Sequence, residues 1–112
     1  MANNLKMDAV FTKNESYEGV YMKHFFNKED NDRLNNFELL IVPGFEITPH
    51  IHEGSTEFFY VVSGHGEFLD ETEWRAIKKG DAFKAPMGKT HALKNTGNEP
   101  LLFFATFSPA IR

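Results

Sequence analysis

Cysteine is absent from this 112-residue sequence, so disulfide bonds and thiolate metal ligands are both excluded. No stretch approaches the roughly 20 consecutive apolar residues that span a bilayer, and the first residues lack the apolar core of a signal peptide. Lysine and arginine are scattered, and Lys78-Lys79 is their only adjacent pair. With a net charge of −4, the chain lacks the cationic clusters that bind nucleic acid. We therefore predict a cytoplasmic protein that binds neither nucleic acid nor membrane.

Apolar side chains are plentiful for a chain of this size. Hydrophobic residues make up 41% of the sequence, and twelve residues are phenylalanine. A chain of this length has room for one domain with one core. Residues 1–17 contain few large apolar side chains, so we predict an N-terminal arm there and a single barrel domain over residues 18–112.

Short segments with apolar residues at alternate positions recur along the chain. One example is Phe37, Leu39 and Ile41, which share a face of an extended segment before Pro43-Gly44. Gly, Pro, Asn and Asp separate these segments, and no stretch has convincing helical periodicity. This pattern is typical of a barrel or sandwich, so we predict an all-β fold.

Residues 57–62 form an extended segment that is apolar on both faces. Phe59 and Val61 share one face, and Phe58 and Tyr60 share the other. A strand that is apolar on both faces is typically covered on both sides. The barrel interior would cover one face and a second subunit the other, so we predict a homodimer.

Two histidine-containing motifs lie between residues 44 and 95. They read Gly44-x5-His50-x-His52-x4-Glu57-x6-Gly64 and, fifteen residues later, Gly80-x5-Pro86-x-Gly88-x2-His91-x3-Asn95. Both resemble, at every specified position, the paired signature of the cupin superfamily. The short separation resembles that of its small, single-domain members. The resemblance implies a cupin-type double-stranded β-helix, also called a jelly-roll barrel.

The same resemblance implies that His50, His52, Glu57 and His91 bind one divalent first-row transition metal per chain, namely Fe, Mn, Ni or Zn. Because strand side chains alternate between faces, His50 and His52 are expected to point into the same space. Glu57 has the wrong parity for that strand, so we expect a turn at residues 54–55 to bring it back beside the histidines. His91 is expected to come from a distant strand across the barrel. A lone strand histidine is more often a hydrogen-bonded core residue, so the identification depends on the whole pattern.

The other motif positions have structural interpretations. We predict that Gly44, Gly64, Gly80 and Gly88 adopt positive φ angles or tight turns, which glycine tolerates best. Asn95 is expected to cap the turn that follows it or to support a ligand residue.

We predict an apolar and aromatic cavity around the metal. Its expected lining comprises Leu39, Ile41, Phe59, Val61, Leu93, Phe103, Ala105 and Phe107, with His24 as a further candidate beside it. No Lys or Arg is expected there, because Arg33, Arg75 and Arg112 fall in a loop, beside a hairpin tip and after the last strand. Guanidinium groups are the natural partners of phosphates and carboxylates. The sequence therefore disfavours sugar phosphates and dicarboxylates and favours a neutral, aromatic or metal-chelating small molecule.

The leading functional hypothesis is a metal-dependent enzyme whose small-molecule substrate chelates the metal. Fe or Mn would support dioxygenase-like chemistry, and Ni or Zn would support a Lewis-acid isomerase, cyclase or lyase. Glu57 is the predicted catalytic residue, because a carboxylate beside the metal can accept a proton. The alternatives are a non-catalytic module that binds or senses a small ligand, and a metal that only stabilises the barrel.

Overall fold

Ten β-strands and no helix occur in residues 4–112, the part of the chain that the computed structural model describes. The all-β prediction is therefore confirmed, and no helix in this part of the chain could cross a membrane. The strands are β1 (Thr12–Lys13), β2 (Val20–His24), β3 (Asn35–Ile41), β4 (Glu46–His50), β5 (Thr56–Ser63), β6 (His65–Asp70), β7 (Glu73–Lys78), β8 (Ala82–Ala85), β9 (His91–Lys94) and β10 (Leu101–Ser108).

The strands form two antiparallel sheets. The larger sheet has the order β1-β2-β3-β10-β5-β8, and the smaller has the order β4-β9-β6-β7. The chain crosses between the sheets after β3, β4, β5, β7, β8 and β9, so residues close in sequence line opposite walls of one interior. These crossings bring the two histidine-containing motifs to the same end of the barrel.

The core follows the period-two pattern of the sequence. On β10 the side chains of Leu101, Phe103, Ala105 and Phe107 are buried, whereas Phe104 between them is 38% exposed. The larger sheet therefore presents one apolar face to the interior, as the alternation predicts.

All four motif glycines have positive φ angles: Gly44 (86°), Gly64 (87°), Gly80 (93°) and Gly88 (75°). Their prediction as special turn positions is confirmed. Close packing also favours glycine at position 64, because a Cβ atom there would lie 2.5 Å from the carbonyl oxygen of Pro100.

The N-terminal region contains a short strand that the sequence does not reveal. Thr12 and Lys13 form β1, which pairs with β2 at Met22 and Tyr21. Residues 1–3 of the predicted arm lie outside the described residues. The boundary at residue 17 thus remains a prediction.

Candidate metal centre and its cavity

His50 and His91 lie side by side on neighbouring strands. His50 ends β4, His91 begins β9, and the two residues are partners in the strand pairing. The prediction that His91 comes from across the barrel is wrong. Between Ile47 and His50 the pairing register shifts by one residue, because β4 carries a bulge that contains Pro49. The bulge sets the register at which the two imidazoles meet, with ring centroids 4.1 Å apart.

His52 and Glu57 approach the pair from the connection between the sheets. His52 follows the end of β4, and its ring centroid is 4.8 Å from that of His50. The chain then crosses to the larger sheet, where Glu57 lies on β5 between Ala85 and Phe107. The chain bends at residues 53–54, and Glu57 does come back beside the histidines, but it does so by a change of sheet. The change of sheet resolves the parity of Glu57, because it lets the carboxylate face the histidines from the opposite wall.

The four side chains converge on one small volume. Oε1 of Glu57 lies 3.5 Å from Nε2 of His52 and 3.3 Å from Nε2 of His91. One donor atom from each of His50, His52, Glu57 and His91 lies within 4.8 Å of the others. Two ligands of one ion at bond lengths of about 2.2 Å lie about 3 to 4.4 Å apart, so the separations in this group are close to those around a single ion. We call this group the His–Glu cluster.

His50 is oriented by the backbone of its own strand. Its Nδ1 lies 2.7 Å from the carbonyl oxygen of Thr48, which can only accept, so Nδ1 carries the proton and donates it. Burial lowers the pKa of His50 below 6.5. The hydrogen bond to Thr48 raises the pKa by less than burial lowers it, and His91 and His52 lower it further. The neutral ring therefore leaves Nε2 free as a ligand atom, an arrangement typical of metal-binding histidines.

His91 gives the clearest indication that a cation fits this site. Its side chain is 3% exposed, and neither ring nitrogen makes a hydrogen bond within the described residues. Buried polar atoms without partners are costly, and a cation held with Glu57 would satisfy the nitrogen that faces the cluster. The donor set of imidazole nitrogens and a carboxylate oxygen suits Fe, Mn, Ni or Zn.

Aromatic side chains hold the cluster in place. Phe107 packs edge-on against the ring of His52 at 4.7 Å between centroids, and Phe59 packs against His91 at 6.4 Å. Phe59 in turn stacks on Phe83 at 4.8 Å. Fixed rings of this kind restrict the imidazoles to a few orientations, which favours a preformed site.

A cavity of about 140 Å³ opens beside the cluster, and we call it the central cavity. Leu39, Phe59, Leu93 and Phe107, four of the residues considered in the sequence analysis, line it. Its remaining lining comprises the His–Glu cluster and Asn14, Tyr17, Met22, Phe37, Ile47, Ile111 and Arg112.

Five of the predicted lining residues lie elsewhere. Ile41, Val61, Phe103 and Ala105 are fully buried but do not line the central cavity. Phe103 packs behind Phe59, with 5.6 Å between ring centroids, so these side chains fill the barrel further from the cluster. His24 is exposed at the end of β2 and lines a separate surface hollow with Thr12, Lys13, Asn14, Glu15, Ser16, Met22 and Arg112, which we call the side depression.

Arg112 lines the central cavity, contrary to the expectation that no cationic side chain does so. Residues 109–112 follow the last strand, so strand periodicity carries no signal for the position of this arginine. Tyr17 also lines the cavity, and strand periodicity could not predict this because the residue lies in the connection between β1 and β2. Its ring centroid is 6.4 Å from that of His50.

Comparison with known proteins identifies the family of this fold. The sequence profile of the Cupin domain family matches residues 37–107, so the chain belongs to that family. It is 35% identical over 88 residues to the Oxalate-binding protein of Thermotoga maritima, covering 77% of this chain and 73% of that protein. It is also 33% identical over 72 residues to the 5-nitrosalicylic acid 1,2-dioxygenase of a Bradyrhizobium species, covering 64% of this chain but 34% of that enzyme.

Comparison with solved structures leads to the same family. The crystal structure of a predicted oxalate decarboxylase from Thermotoga maritima superposes with a TM-score of 0.79 at 31% sequence identity. The match covers 90% of this chain and 91% of that one. The prediction of a cupin-type double-stranded β-helix is therefore confirmed.

Proposed function

We propose that this chain is a metal-dependent enzyme that acts on a small molecule in the central cavity. The observation that carries this proposal is the convergence of four donor atoms, all within 4.8 Å of one another, in the wall of that cavity. A site that served only to stabilise the barrel would have no need of an adjoining cavity. The family alone does not identify the reaction, because one fold supports many chemistries.

The residues of the cluster and cavity suggest a division of roles. One divalent first-row ion per chain, when bound, would supply Lewis-acid polarisation of substrate oxygens and, for Fe or Mn, redox chemistry with dioxygen. His50, His52 and His91 would hold the ion as neutral imidazoles. Glu57 would complete the ligand set and accept a proton from the substrate. The apolar lining would exclude water from the reacting groups.

The similarity to a nitrosalicylate dioxygenase supports oxygen-dependent chemistry on an aromatic substrate. A Lewis-acid isomerase, cyclase or lyase would use the same residues with Ni or Zn. The name of the Oxalate-binding protein favours the second candidate function, a non-catalytic module that binds a small ligand in the same cavity.

The first experiment is elemental analysis of the purified protein and two variants. His50→Ala removes one predicted ligand, and His65→Ala is a matched control because His65 is exposed and lies outside the cluster. We expect about one first-row metal ion per chain in the wild type and control and less than about 0.1 in His50→Ala, because a lost ligand weakens metal affinity. A wild type that holds no metal and cannot be reconstituted contradicts the enzyme proposal.

A second experiment separates the two candidate functions. Oxygen uptake and product formation are measured on the metal-loaded protein with chelating aromatic substrates, with His50→Ala as the inactive reference. Turnover that requires the metal supports the enzyme. Tight binding of small ligands without turnover, across all four metals, favours the binding module.

We also propose that the chain forms a homodimer through the outer face of the larger sheet. Phe58 and Tyr60 on β5 are 46% and 47% exposed, and Phe104 lies beside Tyr60 on the paired strand β10. Adjacent large apolar side chains on an outer sheet face are typical of protein interfaces.

A further inference from the structure

Arg112 is the one Lys or Arg among the described residues that line the central cavity. Apart from the His–Glu cluster, the polar residues of that lining are Asn14, Tyr17 and Arg112. The only side-chain carboxylate in the lining belongs to Glu57, which faces His52 and His91. Arg112 therefore adds a positively charged residue to an otherwise mostly apolar lining, and it also lines the side depression beside His24.

This charge has no anionic side-chain partner within residues 4–112. No Asp or Glu carboxylate oxygen of that part of the chain lies within 4.0 Å of the Arg112 guanidinium. Arg75 differs, because it pairs with Asp70 at 3.1 Å. Partial burial lowers the pKa of His24, and the positive charge of Arg112 lowers it further, so the charge of the arginine acts on this neighbouring imidazole.

The backbone around Arg112 is fixed at the rim of the cavity. The Lys28 amide donates to the Arg112 carbonyl oxygen at 2.5 Å, and the Ile111 amide donates to Oδ1 of Asn35 at 2.8 Å. The Ser55 hydroxyl donates to the Pro109 carbonyl oxygen at 2.6 Å. These bonds join the segment to the beginnings of two strands, because Asn35 begins β3 and Ser55 immediately precedes β5.

We propose that Arg112 binds a carboxylate of the substrate, so that the substrate is a small organic acid with a metal-binding group at its other end. A guanidinium presents paired N–H donors that match a carboxylate, whereas a neutral ligand would leave its charge unpaired. The inference rests on the proposed function, because it assigns a specificity residue to the same cavity. It follows from the cationic residue in the lining, which the sequence analysis did not expect there.

The cavity also limits the size of this acid. Its volume of about 140 Å³ is close to the roughly 150 Å³ of an engineered protein cavity that binds benzene. A compact acid with one ring or a short chain therefore fits between the cluster and the rim, with its carboxylate at the opening where Arg112 lies.

Equilibrium binding of two chelators to the metal-loaded protein tests this assignment. Catechol and 3,4-dihydroxybenzoate share a chelating diol and differ by one carboxylate. We expect the wild type to bind the acid about five- to tenfold more tightly than the neutral diol, since the guanidinium is exposed and only partly desolvated. Arg112→Gln should bind both with the wild-type affinity for catechol, and Arg112→Lys should restore part of the preference.

Arg75→Gln is the matched control, because Arg75 lies outside the central cavity and its loss should leave the full preference. An equal preference for the acid in Arg112→Gln and in the wild type overturns the assignment. So does a wild type that binds the acid no better than catechol.

Metal content measured on the same samples separates this proposal from the proposed function. If the protein holds no metal, the proposal of a metal-dependent enzyme is contradicted. Binding of benzoate and benzamide is then measured in place of the two diols, because binding of a carboxylate by Arg112 needs no metal ion. If the wild type binds benzoate more tightly than benzamide and Arg112→Gln does not, the result supports the arginine site without the enzyme. Equal binding of benzoate and benzamide, or no binding of either, overturns it.

Discussion

At the scale of single residues, the proposed metal site depends most on Glu57. Its carboxylate is 5% exposed and lies beside two imidazoles, so it is the one negative group in the immediate site. An anion among neutral imidazoles strengthens attraction for a divalent cation, and the low-polarity surroundings strengthen it further. The same carboxylate is also the predicted proton acceptor.

Glu57→Gln tests these two roles. We expect metal affinity to fall by at least about tenfold, because a neutral amide oxygen replaces an anionic ligand of similar size. The measurement is metal retention during competition with a chelator of known affinity, with Glu53→Gln as a control in the neighbouring loop. Full metal retention with loss of turnover would show that Glu57 acts only as a base and not as a ligand.

Gly64 is the residue at which backbone conformation and close packing coincide. Its φ angle is 87°, and a Cβ atom would lie 2.5 Å from the Pro100 carbonyl oxygen. Gly44 has a similar φ of 86° but no atom within 4 Å of the added Cβ, so it separates the two effects.

We therefore expect Gly44→Ala to lower the free energy of unfolding by about 1–2 kcal/mol, from backbone strain alone. Gly64→Ala should lower it by about 1–3 kcal/mol more, because overpacking against backbone adds to the strain. Urea denaturation of both variants measures the difference. Equal losses would mean that the backbone around Pro100 moves away at little cost.

At the scale of elements, β5 carries different surfaces on its two faces. The inner face contributes Glu57, Phe59 and Val61 to the cluster and core, whereas the outer face leaves Phe58 and Tyr60 nearly half exposed. An exposed apolar face on a central strand is unfavourable in water unless something covers it.

The double variant Phe58→Ser/Phe104→Ser tests the proposed homodimer. We expect the wild type to be a dimer by light scattering at about 10 µM, as for an interface that buries roughly 800 Å² per partner. The double variant should remain folded and become a monomer, because both side chains lie on the outer face. Glu73→Ser, on the smaller sheet, should not change the mass. A monomeric wild type contradicts the proposal.

At the scale of the whole molecule, His24 links stability to pH. Partial burial of its imidazole, followed by the charge of Arg112, lowers the pKa of His24 below the ordinary value of 6.5. Lys13 and Glu15 line the same side depression, so this hollow contains further charged residues. Below pH 6.5 His24 binds a proton more readily in the unfolded chain than in the folded protein. The free energy of unfolding therefore decreases as the pH is lowered.

We expect this contribution to be fully present above pH 6.5 and to be lost as the pH falls from there through the folded-state pKa. Urea denaturation between about pH 8 and pH 5 measures it in the wild type and in His24→Gln. The stability of the wild type relative to the variant should decrease on acidification. A difference that does not change with pH would show that His24 titrates alike in both states.

Spacing along the chain was enough to identify the cluster and the turns. The four motif positions His50, His52, Glu57 and His91 do converge, and the glycines of the same motifs have positive φ angles. Asn95 caps its turn as predicted, because its Oδ1 accepts from the Gly97 amide. Its side-chain amide also donates to the Ile41 carbonyl at 2.8 Å, a contact with the other sheet that no local pattern indicates.

The sequence by itself determined which residues alternate between interior and solvent, because the period of a strand is a local property of the backbone. It also determined the residue types of the cluster, through two motifs of fixed spacing. Only the tertiary structure decided that His91 pairs with His50 and that Glu57 faces them from the opposite sheet. Strand pairing and sheet crossing depend on contacts between residues far apart in the chain. The position of Arg112 beside the cavity was likewise decided by the tertiary structure, because its backbone accepts a hydrogen bond from a loop that is distant in the chain.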